Sequence, residues 1–563
     1  MGTPLYVIDG IMRDEDAFNN LNTNDIDNIS VLKDGSAAIY GVKAANGVVL
    51  VTTKSGTLNQ KTQVNINAYT GWQQWTKYPK LLNASQWVYA NYMRDVNSGT
   101  YVDPALAQQE MDKWNSGYYD AATGEDYRGY NWMDEMVSNA APQNYINANV
   151  SGGSENTTYY LSISHVDQDA VFKDYNFNRT NLQANIEMQV SKNFKIGYQA
   201  NGKIEENSNP GLPGSDDYTL IKTSLMGLQP IYRPYANDNP LYLNYIEAND
   251  ARNMAAFTKA NAGTYDKKWR TIQNNFTAEY KTPLKGLTAK GLFSYYYGNN
   301  TTNNRELGWK EYTYDKATDS YLQRYERTDT YLVRERQNVE EMTGQLLLGY
   351  DNMFGKDHHV TATGGFEFYK YDSNFLNNTQ SPIDNPLLDQ MVTSESNTLY
   401  ESSNTHTTAS FIFRAGYEYK SKYILDFAGR YDASWLYAKG DRWGFFPSVS
   451  GAWRVSEENF FKNWVVSSWM SNLKLRASYG EMGNENIGSL YQEFAYLPGY
   501  TYNNGATLLP TDLTSDNSKY VIGSAYRGEP ITGISWIKTS ILNLGVDLGF
   551  FNNKVDAHID YYR

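Results

Sequence analysis

His358 and His359 stand side by side, the one adjacent pair among the chain's five histidines and its most visible hint of a metal. In an extended segment, neighbouring side chains point to opposite faces, so these two imidazoles do not easily share one ion. They read as an amphipathic pair at the start of a strand. His165, His406 and His558 are isolated. "GYDNMFGKD", Gly349 to Asp357, has a Gly and a Gly-Lys, but five residues intervene and Asp357 follows where a phosphate loop needs Ser or Thr. It reads as a turn. Neither a Gly-x-Ser-x-Gly elbow nor a His-Glu-x-x-His helix occurs, and no pair of carboxylates stands out for acid–base work. The expectation is a chain that is not an enzyme, with no catalytic residues, metal or cofactor.

Rings are the second group with a chemistry of their own. Trp72, Trp75 and Tyr78 fall in one long connection, Tyr232, Tyr235, Tyr242 and Tyr245 in another, and Tyr491, Tyr496, Tyr500 and Tyr502 in a third. Beside amides and carboxylates such rings suit sugar faces, apolar in the middle and polar at the edge. They serve equally well to pack loops together or to line a membrane interface.

The elements that must position these residues are strands. In "NLQANIEMQV", Leu182, Ala184, Ile186, Met188 and Val190 alternate with Gln183, Asn185, Glu187 and Gln189. "FKIGYQAN" (Phe194–Asn201), "FIFRAGYEY" (Phe411–Tyr419), "LNLGVDLGF" (Leu542–Phe550) and "VDAHIDYY" (Val555–Tyr562) repeat this period of two, the mark of half-buried antiparallel strands. The pattern predicts strands at 62–71, 145–153, 156–168, 177–190, 194–205, 271–281, 286–298, 336–351, 358–371, 407–420, 422–434, 446–456, 472–480, 541–550 and 554–562. Every second connection between them is short, with "SEENFFKNWVVSSWM" the longest of that set. The others are mostly long: 72–144, 206–270, 299–335, 372–406 and 481–540, with shorter ones at 169–176 and 435–445. A soluble sandwich has no reason to sort loop length by parity, whereas an outer-membrane barrel does, with short periplasmic turns and long extracellular loops.

Composition agrees. Mean hydropathy is −0.63, and no apolar run nears the ~20 residues of a membrane helix. Yet 15% of residues are aromatic, 49 of them Tyr, and a barrel escapes the hydropathy rule because lipid-facing and lumen-facing residues alternate. The absence of Cys suits an envelope protein, and a net charge of −13 disfavours nucleic acid as a partner. No signal peptide follows Met1, so the chain is expected to be cytosolic or an incomplete copy of an exported protein.

The first 56 residues have another grammar. In "VLKDGSAAIYGVKAANGVVLVTTKSG", Ile29 to Leu32 reads as a short strand, Ser36 to Tyr40 as a helix of small residues and Val48 to Thr53 as a buried strand, with turns at Gly41 and Asn46-Gly47. Together with "PLYVIDG", "NFNRTNLQANIEMQVSKNFKIGY", "FPSVSGAWRVSEENFF", "LKLRASYGEMGNENIG" and "LNLGVDLGFFNNKVDAHIDYYR", this stretch resembles the SusC-like branch of TonB-dependent outer-membrane transporters over nearly the whole chain. Gly35 and Lys43 stand where that pattern has Ala and Arg. The resemblance implies a mostly β protein: an antiparallel transmembrane β-barrel, with residues 57–563 supplying about 15 of an expected 22 strands. Residues 1–56 would then be the C-terminal part of a small α/β plug domain that fills the barrel. It further implies active import of oligosaccharides or peptides across the outer membrane of a Bacteroidetes-type bacterium. The expected partners are a SusD-like lipoprotein lid, TonB and outer-membrane lipid. Under it, Arg13, Asp14 and Asp16, in a polar loop after "PLYVIDG", face substrate or form a solvated turn, and Tyr242, Tyr245, Tyr500 and Tyr502 contact substrate or lid from loops 206–270 and 481–540. A siderophore or cobalamin receptor is the first alternative, and a passive porin or adhesin the second.

Signal peptide, TonB-binding segment and the first half of the plug are absent, so the chain reads as an internal fragment. Fifteen strands also make a ring of only about 30 Å, against ~44 Å for 22, at ~4.8 Å spacing and ~40° tilt. The expectation is an open, curved sheet with 62–71 and 554–562 as unpaired edges. Apolar rows should face lipid and polar rows the lumen, so Arg should cost more at Ile186, Leu425 or Val546 than at Asn185 or Asp547.

Overall fold

Four short strands pair into a first sheet near the N-terminus of the computed structural model, which describes residues 4–32, 47–120, 122–212, 217–247, 253–383, 387, 389–391, 397–485, 494–508, 520–526 and 528–563. They are β1 (Leu5–Ile8), β2 (Ile11–Arg13), β3 (Ile26–Leu32) and β4 (Val48–Thr53), in the order β2-β1-β4-β3, with β1 parallel to β4 and the other pairs antiparallel. Asp9 and Gly10 make the β1–β2 turn, both at positive φ (50° and 87°), which suits a two-residue hairpin. Leu5, Val7 and Val48 form its core, with Met12, Leu32 and Leu50 packed against them. β4 has the expected bounds and β3 begins three residues before the expected Ile29. The expected helix at Ser36–Tyr40 and turn at Gly41 lie outside the described residues, while Gly47 does turn, with φ +92°.

All fifteen expected strands are present in one antiparallel sheet of fifteen, running from Gln63–Gln73 at one edge to Val555–Tyr562 at the other. Among the described residues no ladder joins these two edges. The facing follows the alternation. Leu182 is 50% exposed on the outer face, whereas Asn185 on the inner face is 3% exposed and lies against the first sheet. Phe411, Leu425, Leu544 and Ile559 continue the exposed apolar face. Rings border this band. Phe411, Tyr431, Trp443, Phe413 and Phe445 stack near one end, and Tyr419 with Tyr423 and Trp469 with Phe550 near the other. From Tyr423 to Tyr431 the strand climbs about 20 Å along the axis at ~3.3 Å per residue and ~40° tilt, close to the ~25 Å apolar band of a barrel.

Loop lengths sort by rim as expected. One rim carries 154–156, 192–193, 282–286, 355–357, 420–422 and 551–554, with 455–469 longer and built of short helical turns. The other carries 74–140, 211–262, 307–330, 381–396 and 485–536, with 170–175 and 435–442 shorter.

Several strands overrun their expected ends on the long-loop rim. The strand expected at 271–281 is Gly263–Lys281, that at 358–371 is His358–Gln380, and that at 407–420 is Asn397–Tyr419. Above the apolar band both faces of the sheet are polar, so the alternation that marks a strand vanishes while the ladder continues. The long connections also hold structure of their own. Helices span Ala84–Asn97, opened by an Asn83/Gln86 capping box, and Pro104–Ser116, capped by Asp103 and closed by Gly117 at φ +61°. A hairpin of Lys310–Asp315 and Ser320–Glu326 pairs with Leu243–Asn244. Trp132, Leu212, Leu225, Met254, Phe257 and Trp309 from three connections form one buried core beneath them.

Candidate functional site

The site is built where the first sheet meets the inner wall. Asp14, Arg13 and Asp16 do not lie in the expected loop. Arg13 ends β2, Asp14 caps the helix α1 (Glu15–Asn19) by accepting from the Ala17 N–H at 2.8 Å, and Asp16 lies within α1. A crevice of about 80 Å³ brings these three together with Lys203, Trp269 and Tyr296 of the wall. Arg13 Nη1 donates to Glu341 Oε2 at 2.9 Å, and its guanidinium lies 4.1 Å from the centre of the Tyr296 ring. Lys203 Nζ sits 3.4 Å from Glu205 and 5.0 Å from the Trp269 ring centre. Each cation therefore has one carboxylate and one aromatic face, a pairing that tolerates burial.

Uncharged amides make up the rest of the wall beside it. Asn185 Nδ2 donates to Thr53 Oγ1 (2.7 Å) and to the Lys54 carbonyl (2.6 Å), Gln183 donates to Asn185, and Asn201 to Gln183, both at 2.7 Å. Further along, Arg179 Nη1 donates to Asn20 (2.7 Å), Asn24 to the Tyr145 hydroxyl (2.7 Å) and Tyr160 to Asp25 (2.7 Å). The alternation already placed Gln183, Asn185, Gln199 and Asn201 on the inner face. Lys203 and Glu341 share that face but went unmarked, and the phase of their strands is the signal that finds them.

Asp9 at the β1–β2 turn accepts from the Thr53 N–H at 2.8 Å and from its hydroxyl at 2.7 Å. Burial nonetheless raises its pKa above the ordinary aspartate range, the Thr53 bonds opposing it. A raised carboxyl contributes stability that is present below the unfolded value, about 4, and is lost as pH rises through the folded value. Ionised Asp9 thus costs stability at neutral pH. Asp9→Asn, which keeps an oxygen for the Thr53 N–H, is expected to hold or raise the urea midpoint of the first sheet at pH 7. It should also flatten that midpoint's fall as pH rises above about 4; an unaltered pH profile would count against the assignment.

The expected loop rings are not in the crevice. Tyr242 stacks on Tyr321 with centroids 3.8 Å apart and planes 3° from parallel, and meets Tyr312 edge-on at 5.1 Å. The Tyr245 N–H donates to the Tyr312 carbonyl at 2.9 Å. Trp75, Tyr78, Tyr232 and Tyr235 pack against the loop core. Tyr500, 72% exposed, begins a two-stranded hairpin (Tyr500–Leu508 with Tyr520–Tyr526) to which Tyr502 also belongs. Tyr242→Ala should cost the loop sheet ~0.5–1.5 kcal/mol beyond lost area. Limited proteolysis reads this as faster cleavage within 307–330, with unchanged heat-resistant barrel mobility on gels. His358 and His359 take separate partners, the Tyr417 hydroxyl at 2.7 Å and Asp351 at 2.9 Å.

Residues 2–48 match the model of the TonB-dependent receptor plug domain. The chain is 29% identical to TonB-dependent receptor P26 of Formosa agariphila, across 99% of its own length and 52% of the relative's. It is 26% identical to the TonB-dependent receptor SusC of Bacteroides thetaiotaomicron, across 99% and 53%. Along nearly its whole length the chain is similar to TonB-dependent receptors, SusC among them. It spans about half the length of the curated relatives it matches. Among solved folds it superposes on the RagAB peptide importer in its closed-closed state with a TM-score of 0.77, at 23% identity, over 99% of this chain and 60% of the other. A siderophore receptor, PirA of Acinetobacter baumannii, gives 0.51 at 12% identity, over 99% of this chain and 62% of the other. TonB-dependent receptors are outer-membrane β-barrels and not enzymes, which assigns the exposed apolar band to lipid and the long-loop rim to the cell exterior.

Proposed function

We propose that this chain works in TonB-energised import of oligosaccharides or peptides across the outer membrane, beneath a SusD-like surface lipoprotein. In this reading residues 1–56 are the C-terminal part of the plug and 57–563 a large part of the barrel. Cargo meets Arg13, Asp14 and Asp16 from above, with Tyr242, Tyr245, Tyr500 and Tyr502 on the exterior loops. One observation carries the reading: the first sheet is tied to the inner wall by a buried ion pair and a run of amide bonds, so the lumen is occupied by a tethered domain. A diffusion channel has no use for such an obstruction, whereas a gated importer requires it. Uptake by cells carrying the whole transporter should stop when TonB is deleted. Equal uptake without TonB, or swelling of liposomes in neutral sugar, would favour a porin.

A further inference from the structure

On the exterior rim, one strand of the sheet stands beside a partner too short to cover it. Asn397–Tyr419 pairs along its whole length with His358–Gln380, but on its other side Tyr423–Ser434 reaches only as far as Thr408. The Trp435 N–H donates to the Thr407 carbonyl at 3.2 Å and closes that ladder. Beyond it, Thr398–Thr405 make no backbone hydrogen bond on this side among the described residues. The Trp435 bond also sets the phase. Antiparallel strands turn alternate residues to alternate neighbours, so Leu399, Glu401, Ser403 and Thr405 present their N–H and C=O groups to the open side, as Thr407 does.

The edge lies above the ring belt at Phe411, and Leu399 and Tyr400 on its two faces are 66% and 57% exposed. Native edges are commonly blunted by Lys, Pro or a bulge. "TLYESSNT" has neither Lys nor Pro, and its register with the neighbouring strand is unbroken. Rings line the lumenal face beside it: Tyr400 lies 6.2 Å from Phe375, and His406 stacks on Trp435 at 4.6 Å and meets Tyr371 at 5.3 Å.

We propose that Leu399–Thr405 is a cargo-docking edge, on which an extended peptide adds as an antiparallel strand with its alternate side chains beside Tyr400. This rests on the import reading and names peptide, rather than glycan, as the cargo class. A peptide repeats one N–H and one C=O every ~6.8 Å along one side, matching the edge. A sugar chain could use the rings but would leave the edge groups to water. A second copy of the sheet is too broad, because Trp435 and the end of Tyr423–Ser434 stand directly below the open segment.

The test uses the full-length transporter in detergent and calorimetry with the octapeptide (Thr-Val)4. Two further versions carry N-methyl groups on every Thr or on every Val, and maltoheptaose serves as the glycan probe. A strand paired along one side uses only one phase of its amides. One methylated peptide should therefore lose about tenfold or more in affinity while the other stays within about twofold. Glu401→Pro removes an open-side N–H without touching the ladder to Leu376, a position where an edge strand accepts Pro, and should weaken the parent peptide about tenfold. Equal losses in the two phases, peptide affinity indifferent to Glu401→Pro in folded protein, or binding of maltoheptaose alone would each overturn the proposal. None of these bears on TonB dependence, whose loss would instead overturn the import reading.

Discussion

Glu341→Ala is expected to loosen the first sheet from the wall by about 3–5 kcal/mol, because it leaves the Arg13 guanidinium buried without its carboxylate. The Arg13 and Glu341 side chains are 7% and 18% exposed, so water does not readily replace the lost partner. Tyr296 would retain Arg13 by its ring face, which is why a value near the lower end is expected. The effect should be local. Hydrogen exchange at β1 and β2 should quicken by two orders of magnitude or more, while the amides of His358–Gln380, the wall strand paired with that of Glu341, keep their protection. Glu341→Gln should do less. Unchanged exchange in β1 and β2 would show that the ion pair is incidental to anchoring.

Leu425→Arg is expected to cost about 2 kcal/mol of folding free energy in lipid vesicles, from a range of ~2–4 at the bilayer midplane that falls toward the interfaces. Leu425 is 56% exposed and lies one repeat above Tyr423 in the lower ring belt, so its guanidinium can reach toward headgroups. An unchanged midpoint in vesicle refolding would invert the facing. The structure corrects the milder partners expected for this comparison. Asn185 is lumenal but sealed, 3% exposed and bonded to Thr53 and Lys54, and Asp547 holds Arg476 at 3.0 Å and His558 at 2.9 Å. Arg at either place removes bonds that the wall uses, so neither is a neutral control.

What could be read from sequence tracks where a side chain meets two different solvents. Leu182 to Val190 and Phe411 to Tyr419 alternate because one face sees lipid and the other a polar lumen, and these strand centres were legible. Asn397 to His406 sees water on both sides, so its ten residues of ladder carry no alternation and looked like loop. Helices Ala84–Asn97 and Pro104–Ser116 announced themselves by Asn83…Gln86 and Asp103-Pro104, signals present in the sequence but outweighed by the barrel pattern. The meeting of Arg13 with Glu341 was not legible at all. They lie 328 residues apart, and the rotation of the small sheet against the wall that joins them is encoded in no local pattern. For the same reason the stacking of Tyr242 on Tyr321 was not legible.

Apart from a few charged contacts, the seam between the small sheet and the wall is made of amides, and this sets its friction. Each neutral bond there is worth only ~0.5–1.5 kcal/mol net, and water can take either half of it at nearly equal enthalpy. Sliding the small sheet by one residue would break Asn185 from Thr53 and Asn24 from Tyr145, yet would bring other amides opposite them and leave only Arg13, Arg179 and Asp25 as charged groups to be re-partnered. A seam of ion pairs would seize under the same displacement, and a seam of leucines would resist wetting. The amide seam instead behaves as a lubricated bearing with one catch, Arg13 on Glu341, so that releasing the catch should free a movement whose later steps are each small.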